Sequence, residues 1–271
     1  MKYGIIAGSG RFPVLALESV RAMGDEAVVI AIREEAAPEI EQLAHKCYWI
    51  SLGELSRLIE ICHAEQLSQV MMAGQVKHAK IFSSIKPDWR LFKVLASLPR
   101  KNTDGLIGAV AKVLSEEGIE LADSTTLLKP LLAPSGTLTR RKPDAEEQSH
   151  IGYGRKIAHA LASFDLGQSV AIAGRACVAL EAMEGTDAML RRAATLANGR
   201  PLTLVKAASR RGHLLFDVPV VGLDTIAVMR ETNATACAID AGRTLLLDRA
   251  ELIECANDAN ISITAGEPQD V

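Results

Sequence analysis

The first half of the chain alternates short apolar runs with stretches in which apolar residues recur at helical spacing. The runs predict buried strands at 3–7, 28–32, 48–50, 70–73 and 119–122. The stretches between them predict helices at 12–23, 52–65, 88–98 and 103–117. Strands that alternate with helices are typical of right-handed βαβ units. The pattern therefore predicts a Rossmann-like N-terminal domain with a parallel sheet.

The pattern changes beyond residue 129, where Pro130, Pro134, Gly136 and Pro143 lie close together among charged residues. Such a cluster predicts an interdomain connection, so we assign residues 1–133 to the N-terminal domain and 134–271 to a C-terminal α/β domain. Strands are predicted there at 169–173, 177–181, 202–206, 218–221, 236–239 and 244–247, with helices at 146–163, 187–197, 225–232 and 248–257. Residues 240–243 have the composition of a hairpin turn, so we expect mixed strand directions.

Composition and charge exclude several classes of protein. The formal net charge of -3 and a pI near 6.1 argue against a general nucleic-acid binder. Five cysteines without a C-x-x-C pair predict free thiols in a reducing cytoplasm. No secretory signal is recognisable, and no run approaches the roughly 20 apolar residues that span a bilayer. We expect a cytoplasmic protein whose membrane contact is peripheral, although no polybasic or strongly amphipathic segment indicates that contact independently.

A glycine turn, Gly8-Ser9-Gly10, follows the first predicted strand. Glycines in this place let backbone N–H groups approach a phosphate at the start of the next helix. The dinucleotide fingerprint would need a third glycine where Pro13 stands, and an acidic residue after the second strand, where the chain has Arg33. We therefore exclude NAD binding. A phosphate or nucleotide loop and a purely structural tight turn both remain open.

The common hydrolase signatures are absent from the sequence. It contains no Walker A loop, no H-E-x-x-H, no G-x-S-x-G elbow, no two-metal phosphoesterase pattern and no Nudix box. The six histidines show no ligand spacing, so we do not expect a transition-metal site.

Carboxylates beside threonine and glycine are the remaining candidates. Thr103-Asp104 and Thr186-Asp187 each stand at a predicted helix start, and Glu184 precedes the second pair. Each threonine is explained equally well as an N-cap, with the acids complementing the helix dipole.

Asp217 stands immediately before an apolar strand, so its carboxylate must be paired, bound to metal or at an exposed strand end. Mg²⁺ commonly uses one or two carboxylates plus substrate phosphates, which Asp217 satisfies. The cations beside these motifs, Lys101, Arg191 and Lys206, are the preferred diphosphate contacts.

Five segments together resemble the LpxI family of UDP-2,3-diacylglucosamine pyrophosphatases. They are GIIAGSGRFP at 4–13, AGQV at 73–76, TDG at 103–105, MEGTDAMLRR at 183–192 and FDVPVVG at 216–222. They occur in the family's order and span most of the chain. The chain departs from the family pattern just before Asp217, where it reads Arg-Gly-His-Leu-Leu-Phe from Arg211 to Phe216. The departure changes the residues that would make polar contacts beside Asp217.

The resemblance implies a Rossmann-like domain joined to a C-terminal α/β domain, with substrate held between them. It implies Mg²⁺-dependent hydrolysis of a lipid-linked UDP-sugar, UDP-2,3-diacylglucosamine, to 2,3-diacylglucosamine 1-phosphate and UMP. Asp217 is then the catalytic candidate. Our own hypothesis for the metal is that Asp217, Asp187 and Glu184 hold Mg²⁺, with Asp104 completing its shell directly or through water. The expected substrate contacts are Gly8, Ser9, Gly10, Gln75, Lys101, Thr103, Asp104, Thr186, Arg191 and Lys206.

Three further expectations accompany that function. We expect a homodimer, no nucleic-acid partner and peripheral contact with the inner membrane, where the substrate resides. A nucleotide-sugar-binding regulator without turnover is the alternative hypothesis. A sugar-nucleotide transferase is a third, and acceptor-dependent release of UMP or UDP would distinguish it.

Overall fold

The computed structural model describes residues 1–74, 76, 86–98, 103–164, 166–208 and 218–267, with the backbone alone at residues 103 and 104. The described residues form two compact units, unit 1 from Met1 to Lys129 and unit 2 from Pro130 onward. The sequence predicts the division slightly later, between residues 133 and 134. Each unit has its own sheet and its own core.

Unit 1 is a five-stranded parallel sheet with the strand order β3-β2-β1-β4-β5. Its strands are β1 (Lys2–Ala7), β2 (Glu26–Ile32), β3 (Lys46–Ile50), β4 (Gln69–Ala73) and β5 (Glu120–Ala122). Its helices are α1 (Phe12–Ala22), α2 (Ile40–Leu43), α3 (Leu55–Ala64), α4 (Trp89–Ser97) and α5 (Thr103–Glu116). The predicted Rossmann-like arrangement is confirmed.

The sheet of unit 1 is covered on both faces, which explains its unbroken apolar strands. Every residue of β2 after Glu26 is buried. Val28, Ile30 and Ile32 pack in one cluster with Leu58 and Leu91 from α3 and α4. The whole strand is therefore apolar rather than alternating, and this made the sequence prediction of unit 1 straightforward.

Unit 2 contains a six-stranded mixed sheet with the order β6-β13-β11-β9-β7-β8. Its strands are β6 (Gly136–Thr137), β7 (Ser169–Ala173), β8 (Ala176–Leu180), β9 (Leu202–Lys206), β10 (Val220–Val221), β11 (Ala234–Asp240), β12 (Leu245–Leu246) and β13 (Ser262–Gly266). Its helices are α6 (Ala145–Ser163), α7 (Thr186–Ala197), α8 (Leu223–Glu231) and α9 (Arg249–Asp258). Strands β9, β11 and β13 run parallel, whereas β6, β7 and β8 are antiparallel to their neighbours, which confirms the mixed directions.

The two faces of this sheet are covered by different helices. Ala158 of α6 packs on Val170, Ile172 and Val205 on one face. Helices α7, α8 and α9 cover the other face and build the larger core. Helix α6 begins with a capping box, in which Asp144 accepts the N–H of Glu147 while Glu147 accepts the N–H of Asp144.

The prediction of a hairpin at residues 240–243 is wrong. Strand β12 pairs in parallel with β10, in a separate two-stranded sheet, instead of turning back along β11. The connection is tied to the start of unit 2, because the Gly242 N–H donates to the Ala133 carbonyl at 2.8 Å and the Ala133 N–H donates to the Thr244 carbonyl at 2.9 Å. Gly242 has a φ of +67°, as a turn residue would, but the turn leads away from the strand.

The five cysteines carry free thiols, as predicted. Burial raises the pKa of Cys62 to about 11 and that of Cys237 to about 12, so both thiols stay protonated and unreactive at neutral pH. Among the described helices, none has the length and apolar character needed to cross a membrane.

Candidate functional site

The strand order of unit 1 reverses between β1 and β4. In open α/β sheets, ligands bind in the crevice outside the carboxyl ends of the strands at such a reversal. Gly8-Ser9-Gly10 follows β1, and Gly74 follows β4, so two of the segments singled out in the sequence end at this crevice. The topology thus supports a binding role for the glycine turn without identifying the ligand.

The two turns lie against each other through their backbones. The Gly8 N–H donates to the Ala73 carbonyl at 2.8 Å. Gly74 has a φ of +89°, and a Cβ there would lie 2.4 Å from the Ser9 carbonyl oxygen. Any side chain at Gly74 would therefore displace the glycine turn. The structural explanation of the glycines holds, and phosphate binding by Gly8, Ser9 and Gly10 stays a prediction.

In unit 2 the structure brings together Thr186 and Lys206, two predicted substrate contacts that lie in different elements. Lys206 ends β9 and is buried, and its Nζ donates to Thr186 Oγ1 at 3.0 Å. The Thr186 hydroxyl donates in turn to Glu181 Oε1 at 3.0 Å and lies 3.1 Å from Ser169 Oγ. This Lys206–Thr186–Glu181 network stands at the carboxyl end of a parallel strand, the edge where α/β proteins place their sites.

Thr186 is not an N-cap. The N-cap of α7 is Gly185, with a φ of +83°, and no side chain caps the helix among the described residues. The Thr186 hydroxyl is directed into the network instead. A Lys ammonium has three N–H donors, and Lys206 uses one of them within the described chain. Two donors on a buried cation are thus left for an oxygen-rich ligand.

The other predicted residues of this motif make surface contacts. Glu184 Oε1 accepts from Arg192 Nη2 at 2.6 Å, and this hydrogen bond lowers the pKa of Glu184. Arg191 forms a forked ion pair with Glu231, in which both side chains are half exposed. Asp187 lies in the first turn of α7. The described residues contain no group of three or more potential metal-binding side chains.

Several predicted site residues lie outside the described residues. Asp217, Gln75 and Lys101 are among them. Thr103 and Asp104 are described as the backbone that begins α5. The roles assigned to these five residues stay predictions.

A buried ionic cluster in unit 2 was missed in the sequence. Asp240 ends β11 and accepts from Arg155 Nη1 at 3.0 Å and from the Ala208 N–H at 2.8 Å. His159 Nε2 lies 3.4 Å from the same carboxylate, although neither ring nitrogen makes a hydrogen bond of normal geometry within the described chain. Burial alone would raise the pKa of Asp240, but the imidazole, the Ala208 N–H and the guanidinium together hold it below its usual value.

The signal for this cluster was present in the sequence. Asp240 ends the apolar run Ala236-Cys-Ala-Ile, and an acid in such a run must be paired or exposed. Asp217 stands out in the sequence for the same reason. The arginine and histidine partners are one helical turn apart, at Arg155 and His159, but no spacing rule links them to residue 240.

A cavity of about 770 Å³ lies at the other end of the unit 2 sheet. Thr203 and Thr235 line it, and they stand at the amino ends of β9 and β11. Its charged residues balance, with Arg141, Lys142 and Arg200 against Asp144, Glu146 and Glu147. The cavity is therefore poorly suited to a diphosphate, and the strand ends at Lys206 are the better candidate.

Comparison with known proteins identifies related sequences over the whole chain. Residues 2–131 match the model of the LpxI N-terminal domain, and residues 134–264 match that of the LpxI C-terminal domain. A relative from Caulobacter vibrioides, named UDP-2,3-diacylglucosamine pyrophosphatase LpxI, is 30% identical over 279 residues. The alignment covers 99% of this chain and 99% of the relative.

Solved structures give weak likenesses only. The biotin carboxylase domain of Hydrogenobacter thermophilus 2-oxoglutarate carboxylase aligns at 11% identity and a TM-score of 0.29, over 74% of this chain and 43% of that one. Phosphoribosylglycinamide synthetase from Anaerococcus prevotii aligns at 11% identity and a TM-score of 0.27, over 65% and 32%. Such scores carry no argument about fold or function. On the two domain matches and the full-length relative, the chain belongs to the LpxI family.

Proposed function

We propose that this protein hydrolyses the pyrophosphate bond of UDP-2,3-diacylglucosamine, giving 2,3-diacylglucosamine 1-phosphate and UMP for lipid A biosynthesis. The observation that carries the proposal is the relative of that name, which aligns with 99% of the chain. The reaction takes place in the cytoplasm, and the diacylated substrate brings the protein to the inner membrane surface. A homodimer stays a prediction.

The reaction adds water across a phosphoanhydride. The water oxygen bonds to one phosphorus, and the bond from that phosphorus to the bridging oxygen breaks. The water protons pass to the product phosphates and the solvent. Attack at either phosphorus gives the same two products, and in both cases negative charge grows on the phosphoryl and leaving oxygens.

Lys206 and Thr186 are suited to stabilise the negative charge that grows on the phosphoryl and leaving oxygens. Lys206 is a buried cation with two N–H donors left over from its bond to Thr186. An ammonium in a poorly solvated place interacts strongly with a phosphate, because little water competes for it. Glu181 holds the Thr186 hydroxyl and thereby fixes the position of the lysine. In unit 1, the glycine turn is the proposed contact for phosphate or nucleotide, although the Gly8 N–H already donates to the Ala73 carbonyl.

Asp217 is the proposed catalytic residue, and its carboxylate would hold Mg²⁺ or orient the attacking water. Asp187 fits a magnesium ligand, because its carboxylate has no hydrogen bond or ion pair among the described residues. Glu184 fits less well, because it would have to release Arg192 first. When bound, Mg²⁺ would neutralise charge on the diphosphate.

The proposal is tested by measuring UMP release from UDP-2,3-diacylglucosamine in detergent, with Mg²⁺ or with EDTA. Wild type is compared with Asp217→Asn, and with Asp258→Asn as a matched control, since Asp258 is exposed at the end of α9. We expect metal-dependent release by wild type and the control, and at least about a hundredfold loss in Asp217→Asn, as for a group that acts on the transition state.

Two outcomes would contradict the proposal. Folded wild type that binds UDP-sugar but releases no UMP would favour the nucleotide-sugar-binding regulator. Full activity in Asp217→Asn would leave the reaction intact but remove the assigned catalytic residue.

A further inference from the structure

Helix α4 presents two aromatic side chains to solvent on a firmly anchored backbone. Trp89 is 66% exposed and Phe92 is 52% exposed. The opposite side of the helix is fixed, because Leu91 and Val94 are buried in the core of unit 1. Asp88 caps the helix by accepting the Leu91 N–H at 2.9 Å, and it also accepts the Ser56 N–H of α3 at 2.6 Å. The aromatic pair therefore stands on a rigid support.

The pair is organised and has a cation beside it. The two rings stack at a centroid distance of 5.9 Å and an interplanar angle of 14°. Lys93 Nζ lies 5.0 Å from the centre of the Trp89 ring. Exposed tryptophan and phenylalanine next to lysine are typical of helices that lie at a membrane surface, with the rings at headgroup level and the ammonium against lipid phosphates.

The sequence around α4 is positively charged, whereas the whole protein carries a negative net charge. Between residues 77 and 101 the sequence contains seven Lys or Arg and one acid, Asp88, a net of +6 in a chain of net charge -3. Asp88 is occupied by backbone N–H groups, and Arg90 is paired with Glu117. Lys86 and Lys93 form no ion pair within the described chain, so they are available to anions.

We propose that the exposed side of α4, formed by Trp89, Phe92 and Lys93 and preceded in the chain by the exposed Lys86, docks on the surface of an anionic phospholipid bilayer. The inference extends the proposed function, since a diacylated substrate resides in such a bilayer. The sequence alone does not indicate this surface. The basic residues are spread over 25 positions, and the aromatic pair stands out only once the exposed side of α4 is known.

A second copy of the chain fits this surface less well. Two aromatic side chains, each about half exposed, offer on the order of 200–250 Å² in total, whereas a stable interface buries about 800 Å² on each partner. A twofold contact here would also bring the Lys93 cations of both copies into one interface. A lipid surface needs neither a large area nor a complementary protein charge, because many headgroups share the contact.

Vesicle binding tests the inference directly. Co-sedimentation is measured with vesicles of phosphatidylcholine alone and with phosphatidylglycerol added, for wild type, Trp89→Ser/Phe92→Ser and Lys86→Glu/Lys93→Glu. The control is Phe164→Ser/Leu166→Ser, which removes an equally exposed apolar pair from unit 2. We expect both α4 variants to bind anionic vesicles at least about tenfold more weakly, and the control to bind like wild type.

Tryptophan fluorescence gives a second measure. The chain has two tryptophans, so Trp49→Phe leaves Trp89 as the one reporter. We expect its emission to shift to the blue when anionic vesicles are added. An unchanged emission, or equal vesicle binding by wild type and both α4 variants, would overturn the inference.

The remaining outcomes separate this inference from its rivals and from the proposed function. Loss of a dimer in Trp89→Ser/Phe92→Ser, without vesicle binding by wild type, would assign the surface to a second copy. A large fall in hydrolysis of detergent-dispersed substrate by the same variant, with vesicle binding equal to that of wild type, would assign it to the acyl chains. Both would refute membrane docking. Vesicle binding through α4 by a protein that releases no UMP would support docking and refute the proposed function.

Discussion

Replacing Asp240 with asparagine should destabilise unit 2 far more than its change of one atom suggests. The carboxylate is 1% exposed and lies 3.0 Å from Arg155 Nη1. At an effective dielectric constant of 20, two unit charges at this distance attract by about 5.5 kcal/mol. Asparagine keeps the shape but leaves the Arg155 charge buried without its counter-ion, which costs about 3–5 kcal/mol. Arg155 also donates hydrogen bonds to the Ile239 and Glu267 carbonyls, which remain in the variant. We therefore expect the loss in unfolding free energy to be near 3 kcal/mol, at the lower end of that range.

The assay can distinguish the two units within one sample. Both tryptophans, Trp49 and Trp89, lie in unit 1, so their fluorescence reports urea unfolding of that unit, whereas far-UV circular dichroism reports both. We expect Asp240→Asn to move the dichroism transition and leave the fluorescence transition in place. Glu231→Gln, which breaks the exposed pair with Arg191, is the control and should cost less than about 1 kcal/mol.

The sign of the pH dependence provides a further check. The pKa of Asp240 is lowered in the folded protein, so its stabilising contribution is complete above the unfolded pKa of about 3.9 and is lost as pH falls through the folded value. The difference between wild type and Asp240→Asn should therefore shrink below about pH 4. A loss no larger than that of Glu231→Gln at neutral pH would refute the assignment of a buried, ionised pair.

Three further predictions concern unit 1 and the candidate site. Gly74→Ala should lower the free energy of unfolding in urea by at least about 2 kcal/mol, because it adds a clash with the Ser9 carbonyl to a positive φ. The control is Gly24→Ala, where φ is also positive but a Cβ would meet no neighbour within 4 Å. Lys2, Tyr48 and Lys46 lower the pKa of Glu65 to about 2, so its contribution is present above about pH 4.5 and lost towards pH 2. Acid unfolding followed by fluorescence should therefore lose pH dependence in this range in Glu65→Gln, and an unchanged curve would contradict the assignment. Lys206→Met should lower kcat/KM for UMP release by about tenfold to a hundredfold, with partial recovery in Lys206→Arg, and normal kinetics would remove Lys206 from the site.

The sequence predicted unit 1 well because its central strands β1, β2 and β4 are largely buried on both faces. A strand such as β2 must then be apolar throughout, which makes it easy to recognise. Strand β13 was missed because it reads Ser-Ile-Thr-Ala-Gly, small and partly polar residues in which Ser262 and Ile263 are nonetheless completely buried. Its burial comes from its neighbours in the sheet, and no local pattern records that.

The site shows the same division between local and long-range information. The glycine turn was identifiable because its backbone requirements belong to adjacent residues, as the φ of +91° at Gly10 illustrates. The bond between Lys206 and Thr186 joins residues 20 positions apart. Spacing alone could not place them together, although the sequence singles out each one separately, Thr186 at a predicted helix start and Lys206 as a cation beside the motifs. The Arg155–Asp240 pair, 85 positions apart, had no comparable motif and was missed.

The position of β13 in the sheet has a consequence for the order in which unit 2 is made. This strand lies between β6 and β11, yet it follows every other strand of that sheet in the chain. During synthesis, β6 emerges early, but its partner β13 is translated about 125 residues later. At ordinary elongation rates, that delay is at least several seconds. Until then, β11 presents an open edge to other nascent chains. The strands described for unit 1 all precede residue 123, so its sheet can form on the ribosome while unit 2 still depends on completion of its last strand.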